Sequence, residues 1–268
     1  MLRYIVILCL LTACSSARQL SLPKRSTAAI TGSAFYANII PMTREERERI
    51  AIKEILSGNI PSFLKRFISV QTTITDTTGN THTATIFVLP DYLSIGSDND
   101  FARIPLTPIA AQLIADSLQC FLPTRKLVNI IYEQAIIKPE PVPMFSYRDS
   151  ALIFWHHHLI IEGQRNRQKG LIAGIKKDVV LSGKISRSDK PNRVAIYGWH
   201  KKDGTPIQPL YTGHVNWYVD YSHGIRLVYR KLKVDGKWMD YINVLQHPVL
   251  KALLCDEEWC DCYRYDTN

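Results

Sequence analysis

The chain has 268 residues, of which 46% are hydrophobic and 10% aromatic, with 13 Tyr and 5 Trp. Such a composition excludes a disordered or collagen-like chain and predicts a globule. The formal net charge is +9; in the cytosol this would suggest nucleic acid, but the N-terminal segment points to export, where anionic lipid headgroups or cell-wall polymers are the expected acidic partners and nucleic acid is not.

Met1-Leu2-Arg3 places one basic residue before the apolar run Tyr4 to Leu11, and Thr12-Ala13-Cys14 follows. These are the regions of a secretory signal peptide, expected to span 1–13. The apolar run is far shorter than the ~20 residues that cross a bilayer as a helix. Leu11-Thr12-Ala13-Cys14 resembles the lipobox of bacterial lipoproteins. That resemblance implies cleavage before Cys14, acylation of its thiol and new amine with palmitate-class chains, and a membrane-anchored protein of the cell envelope. Ser15 after the cysteine implies the outer membrane in a Gram-negative cell. Several acyl chains on one residue hold stably where one would not. Residues 14–34 lack apolar periodicity and are expected to form a tether.

Residues 35–137 read as a helical part with a β-hairpin. Thr43 with Glu46 three residues on forms a capping box for a helix running to Leu56, and Gly58-Asn59 stops it. A short helix is expected around Ser62 to Phe67. Val70–Thr77 and Thr81–Leu89 alternate around Gly79-Asn80, which predicts a hairpin. Pro105–Leu118 and Thr124–Ile136 read as two helices, started at Thr107-Pro108 and Pro123-Thr124. The proline-rich stretch from Lys138 to Met144 is the candidate boundary.

Residues 145–268 read mainly as β, in a part that either stands alone or completes one domain with 35–137. Ser150–Gly163, with His156-His157-His158, fits helix or strand. Strands are expected over Leu171–Leu181, Arg193–Trp199, Ile207–Asp220, Ile225–Val234 and Trp238–Val244, with turns at Asp203-Gly204 and Asp235-Gly236 and a short helix at His247–Leu254. The fold class is therefore α+β: a helical N-terminal half with a hairpin, followed by a mostly antiparallel sheet.

Cys120, Cys255, Cys260 and Cys262 remain in the mature chain. In an oxidising compartment an even number favours disulfides, and a bridge from the acidic tail to the body through Cys120 is the expected one. The densest polar cluster holds His200, His214, Asp220 and His223 among aromatic residues. His214 and Asp220 would share a face of one unbroken strand. Two chemistries fit. The four side chains could hold Zn²⁺ and an activated water. Alternatively, a histidine oriented by Asp220 could serve as base to a Cys120 thiolate favoured by a helix start. Packing roles are the competing reading for each histidine, His156–His158 above all. Asp98-Asn99-Asp100 reads as a polar turn, since the later ligands of a calcium loop are missing.

Gly213-His-Val-Asn-Trp-Tyr-Val219 resembles the histidine strand of cell-wall cysteine peptidases of the NlpC/P60 type, and Lys177-Asp178-Val-Val-Leu181 the strand preceding it. The resemblance covers two short strands and implies a Cys–His hydrolase. The chain departs from it at Cys120, which precedes Phe-Leu-Pro-Thr and so lies outside the helix. Two functions are expected from these readings. One is a lipid-anchored envelope hydrolase acting on peptidoglycan or peptide. The other is a non-catalytic lipoprotein that binds glycan, peptide or an envelope protein through its Tyr and Trp side chains.

Overall fold

The computed structural model describes residues 18–267, so the expected signal peptide, Cys14 and the first residues of the expected tether lie outside the described residues. From Arg18 onward the expected tether is already part of the globule. Gln19 bridges to Arg66, Leu20 is buried, and Arg25 Nε donates to Asn59 Oδ1 at 2.7 Å. The segment has no periodicity because it packs through single residues as extended chain.

The first helix, α1 (Gly32–Ile39), begins where that segment ends. Thr31 caps it, and Gly32 sits so close to Phe101 that a Cβ would fall 2.3 Å from its carbonyl carbon. Helix α2 (Arg44–Leu56) starts at the predicted capping box, with both reciprocal bonds between Thr43 and Glu46 formed. A 3-10 turn over Ser62–Lys65 leads into the hairpin β1 (Ile68–Thr75) and β2 (Thr81–Val88), paired from Ile68↔Val88 to Thr75↔Thr81. A second, short hairpin, β3 (Ser94–Gly96) and β4 (Phe101–Arg103), precedes α3 (Pro108–Ser117), β5 (Cys120–Phe121) and α4 (Arg125–Gln134). The polar turn between β3 and β4 works as a connector: Asp98 accepts from Ser62 N, and Asp100 from Ser33 N at the start of α1.

The ambiguous segment is α5 (Ala151–Arg165), capped by Ser150 and ended by Asn166 in the left-handed region. Next come β6 (Lys177–Val180), a single turn α6 (Gly183–Ser186), β7 (Ala195–His200), β8 (Pro206–Tyr211), β9 (His223–Gly224), β10 (Val228–Tyr229), β11 (Lys231–Val234), β12 (Lys237–Asp240) and α7 (Tyr241–Gln246), with a final 3-10 turn at Leu250–Leu253. The expected strands are thus shorter than the apolar runs that suggested them, and the run from Trp238 bends into a helix where Asp240 caps α7.

One sheet runs β12-β11-β2-β10-β5 with β1 also on β2, a second runs β8-β7-β6-β9, and β3 and β4 pair by themselves. All named pairs are antiparallel except β6 with β9. The chain is α+β, with most helices in its N-terminal half. The proline-rich stretch does not divide the core. A single apolar cluster contains Ile55, Leu64, Ile114 and Phe121 from one side of it and Phe154, Ile196, Leu232 and Leu253 from the other.

Candidate functional site

The parallel pair β6–β9 sets Lys177 beside His223. Register partners in adjacent strands project to the same face, so these two side chains are neighbours. Gly224 permits the close approach, since a Cβ there would lie 2.6 Å from the Tyr92 ring and from Lys176 Cβ. Over this face folds the segment from Thr212 to Ser222. The expected strand Ile207–Asp220 stops at Tyr211, because the following backbone groups bond elsewhere: Val194 N donates to His214 O, Asn216 N to Asn192 O, and Tyr218 N to Val215 O. His214, Asp220 and His223 still meet, but through a loop and not through strand alternation. The His214 ring lies 4.6 Å from that of Tyr218 and 6.3 Å from that of His223.

Asp220 is saturated. Its Oδ2 accepts from Arg148 Nη2 at 2.7 Å and from the Tyr218 hydroxyl at 3.2 Å; its Oδ1 accepts from Ser222 N at 2.8 Å and Ser222 Oγ at 2.5 Å. Burial alone would raise its carboxyl, but His223, the Ser222 bonds and Lys177 outweigh it and hold the group at about 2. His223 is the reverse case. It is fully buried, and neither ring nitrogen has a hydrogen-bond partner. Burial, with help from Lys177 and His214, brings it down to about 4 against the pull of Asp220. Burial likewise lowers His214 and Lys177. At neutral pH the imidazoles are therefore uncharged and Asp220 is ionised.

The other expected members are elsewhere. His200 stacks on Tyr132 of α4 at 4.4 Å and its Nε2 meets Asn129 Oδ1 at 3.1 Å. Its place at the end of β7 turns it towards the helix, away from His214 and His223. Among the described residues no three His, Cys, Asp or Glu side chains converge as a metal would require, and His200 stands apart from His214, Asp220 and His223. Cys120 is buried in β5, opposite Tyr229, and its thiol donates to Leu118 O at 3.3 Å. Burial pushes the thiol up, which opposes the thiolate a nucleophile needs. Nor does it bridge to the tail: Cys255 pairs with Cys260 inside the tail, and Cys120 and Cys262 are free. His157 and His158 belong to a separate buried network. Lys176 Nζ lies 3.0 Å from His157 Nδ1, and Arg103, which holds Asp91 at 2.6 Å and Glu162 at 2.7 Å, approaches His158 Nδ1 at 3.3 Å.

The sequence did not mark the neighbouring cleft. A cavity of about 270 Å³ lies between α2 and the loop before Asp220, lined by Ile39, Ile104, Leu106, Phe154 and Val219, with Arg44, Arg47, Glu48 and Asp149 among its polar groups. Trp217, 47% exposed, and Tyr218 complete the wall. Arg44 ties the two sides by donating to Trp217 O, and Arg47 donates to Asp149 O at 3.3 Å. Tyr218 belongs to both features, since its ring lines the cleft and its hydroxyl bonds Asp220. In sequence, Arg44 to Arg49 reads only as a solvated helix face; nothing local signals that a loop 170 residues later leans on it, as the Arg44–Trp217 separation of 173 makes plain. Arg148 carried no signal, being a single basic residue in an unremarked run, and Lys177 entered only through the resemblance of Lys177-Asp178-Val-Val-Leu181. Comparison with protein-family models, with curated proteins and with solved structures finds no match.

Proposed function

We propose that this chain is an exported, lipid-anchored envelope protein that binds a peptide, such as the peptide part of peptidoglycan, without cleaving it. The cleft carries the reading. Its floor is aliphatic and aromatic, its rim holds both signs of charge, and a half-exposed Trp stands at its mouth. Apolar walls with a few charged groups suit a peptide's side chains and termini better than the hydroxyl-rich face of a bare glycan. Two of the residues expected to act in hydrolysis are otherwise engaged. Asp220 has spent its lone pairs on the loop, and Cys120 is sealed in the sheet. The basic chain and the lipobox-like Leu11-Thr12-Ala13-Cys14 support the envelope address.

Co-sedimentation of purified mature protein with peptidoglycan sacculi tests the binding. Sacculi should pull the protein down, glycan strands stripped of peptide should not, and Trp217→Ala should weaken capture by about tenfold, the scale of a central aromatic contact. Absence of capture, or equal capture by stripped glycan, would overturn the reading.

One observation favours a second reading, the hydrolase. A neutral histidine with two unpartnered nitrogens, next to an ionised carboxylate, is a recurrent form of general base. Release of soluble fragments from sacculi, lost in His223→Gln, would establish it. The anchor is tested separately: Cys14→Ser should abolish lipid labelling and membrane retention.

A further inference from the structure

Around Lys177 several hydrogen-bond donors lack an acceptor, Arg148 Nε among them. Lys177 is only 7% exposed, and among the described residues its ammonium makes no hydrogen bond or ion pair, although Nζ itself is not sealed from solvent; it lies 5.4 Å from the centre of the Trp199 ring. Its strand neighbour His223 has both ring nitrogens buried and unpartnered, and so is Nε1 of Trp199 itself. Trp199 is set there by a register break between Ile196 and Gly198 and by its own left-handed backbone, φ 56°. A bulky residue in that conformation is strained, and bulges of this kind re-aim side chains. Buried donors left without acceptors are rare, because each forfeits its hydration for nothing.

The local charges are unbalanced in the same sense. Lys177 and Arg148 are cationic and Asp220 is the carboxylate that faces them; Arg148 takes that carboxylate at 2.7 Å. His214 and His223 are neutral. Lys177 is left without a bonded carboxylate, between an imidazole and an indole that both have a nitrogen to offer. A single carboxylate supplies what this group lacks: one negative charge and two acceptor oxygens. The way in is past Tyr218, which walls the cleft on one side and lies 5.9 Å from the His223 ring on the other.

We propose that Lys177, His223 and Trp199 form a subsite for the C-terminal carboxylate of a peptide whose preceding residues occupy the cleft. This rests on the peptide-binding reading above and specifies which end of the peptide enters. Tyr218 swings aside as the carboxylate arrives. The ammonium then pairs with it, and the imidazole and indole N–H groups donate to its oxygens. The aliphatic cleft wall receives the side chain before it.

The test uses the ¹⁵N-labelled mature protein and small probes. Sodium acetate and N-acetyl-alanine are titrated against sodium chloride at matched ionic strength, N-acetyl-alanine amide and sodium phosphate. The indole N–H of Trp199 and the imidazole nitrogens of His223 report by NMR. Both carboxylates should shift these signals saturably, and chloride, the amide and phosphate should not. Lys177→Met should weaken the acids by about tenfold, as loss of a charge-assisted bond does, while Lys233→Met on the other sheet should not. Should Lys177→Met fail to fold, the wild-type comparison of acid with amide decides alone. Unmoved signals, equal response to the amide, or response to phosphate only would overturn the subsite. Failure of the acids with sacculi still bound removes the subsite and leaves the peptide-binding reading. Binding of the acids without capture of sacculi does the opposite.

Discussion

A carboxylate that already accepts four hydrogen bonds has little left with which to orient a histidine, and Asp220 is in that position. Its work is to close the loop that carries Tyr218 and Ser222 over β6 and β9. Asp220→Ala should therefore destabilise the protein by about 2–3 kcal/mol, the value of charged hydrogen bonds broken with their donors left behind. The loss would be read from the midpoint of urea unfolding, and an unchanged midpoint would show that the bonds contribute nothing. Cys120 makes a second residue-scale case. With its thiol buried and shifted against ionisation, it should stay unmodified by a thiol reagent in the native state, while half-buried Cys262 reacts first. Cys120→Ala should leave peptide binding intact. Rapid native labelling of Cys120 would contradict the placement.

At the scale of elements, Glu48 joins two helices. It projects from α2 and accepts from Thr107 N at 2.5 Å and Thr107 Oγ1 at 3.0 Å, so one carboxylate caps α3 from outside while Thr107 caps it from within. Glu48→Ala should cost about 1–2 kcal/mol, the usual range for losing a helix cap. It should also loosen the cleft, which Glu48 lines, so that melting temperature and peptide affinity fall together. Affinity that falls with no change in melting would mean that Glu48 touches the ligand only. The caps themselves were legible in the sequence. Thr43, Thr107 and Thr124 read as helix starts and each accepts an amide of its first turn, whereas Ser150, which does the same for α5, was not marked because the segment after it fits helix and strand alike. The β1–β2 hairpin was legible for the same reason, since alternation and a Gly-Asn turn are local. What could not be read were the places where a run of apolar residues changes partners. Ile207 to Asp220 looks like one strand, but its second half spends its backbone groups on residues 192–194. The same limit applied to the site. His214, Asp220 and His223 were found because they are close in sequence; Arg148 and the α2 wall were not, because only the folded chain brings them there, and Lys177 and Trp199, though named as strand residues, gave no sign of their place beside His223.

At the scale of the whole molecule, the single core encloses an unusual amount of titratable chemistry, and this dictates how the fold responds to pH. His157, His158, His200 and His223 are all held below the ordinary histidine value, in each case chiefly by burial, with His157 at about 2 and His200 and His223 at about 4. In the unfolded chain these groups take up protons near pH 6.5. Between there and their folded values the unfolded state binds more protons, so acid draws the equilibrium towards it. Asp178, raised by burial to about 7, and Glu48, also raised by burial, act in the opposite sense, because the folded state holds their protons more tightly. His214 is lowered too, while His82, raised by Asp235, and Glu257, raised by burial, join the opposing side. The buried histidines set the sign, each proton taken up on unfolding being worth about 1.4 kcal/mol per pH unit. Lys176, lowered by burial to about 7, extends the trend upward, since above that value the unfolded state again holds the extra proton. Urea midpoints should therefore fall steeply as pH drops from neutral through the histidine range and should rise modestly on the alkaline side. His223→Gln should flatten the acid limb by about 1 kcal/mol per pH unit, one proton's share, and leave the alkaline limb unchanged. A stability that is level or improves on acidification would show that these histidines are not buried in the neutral form.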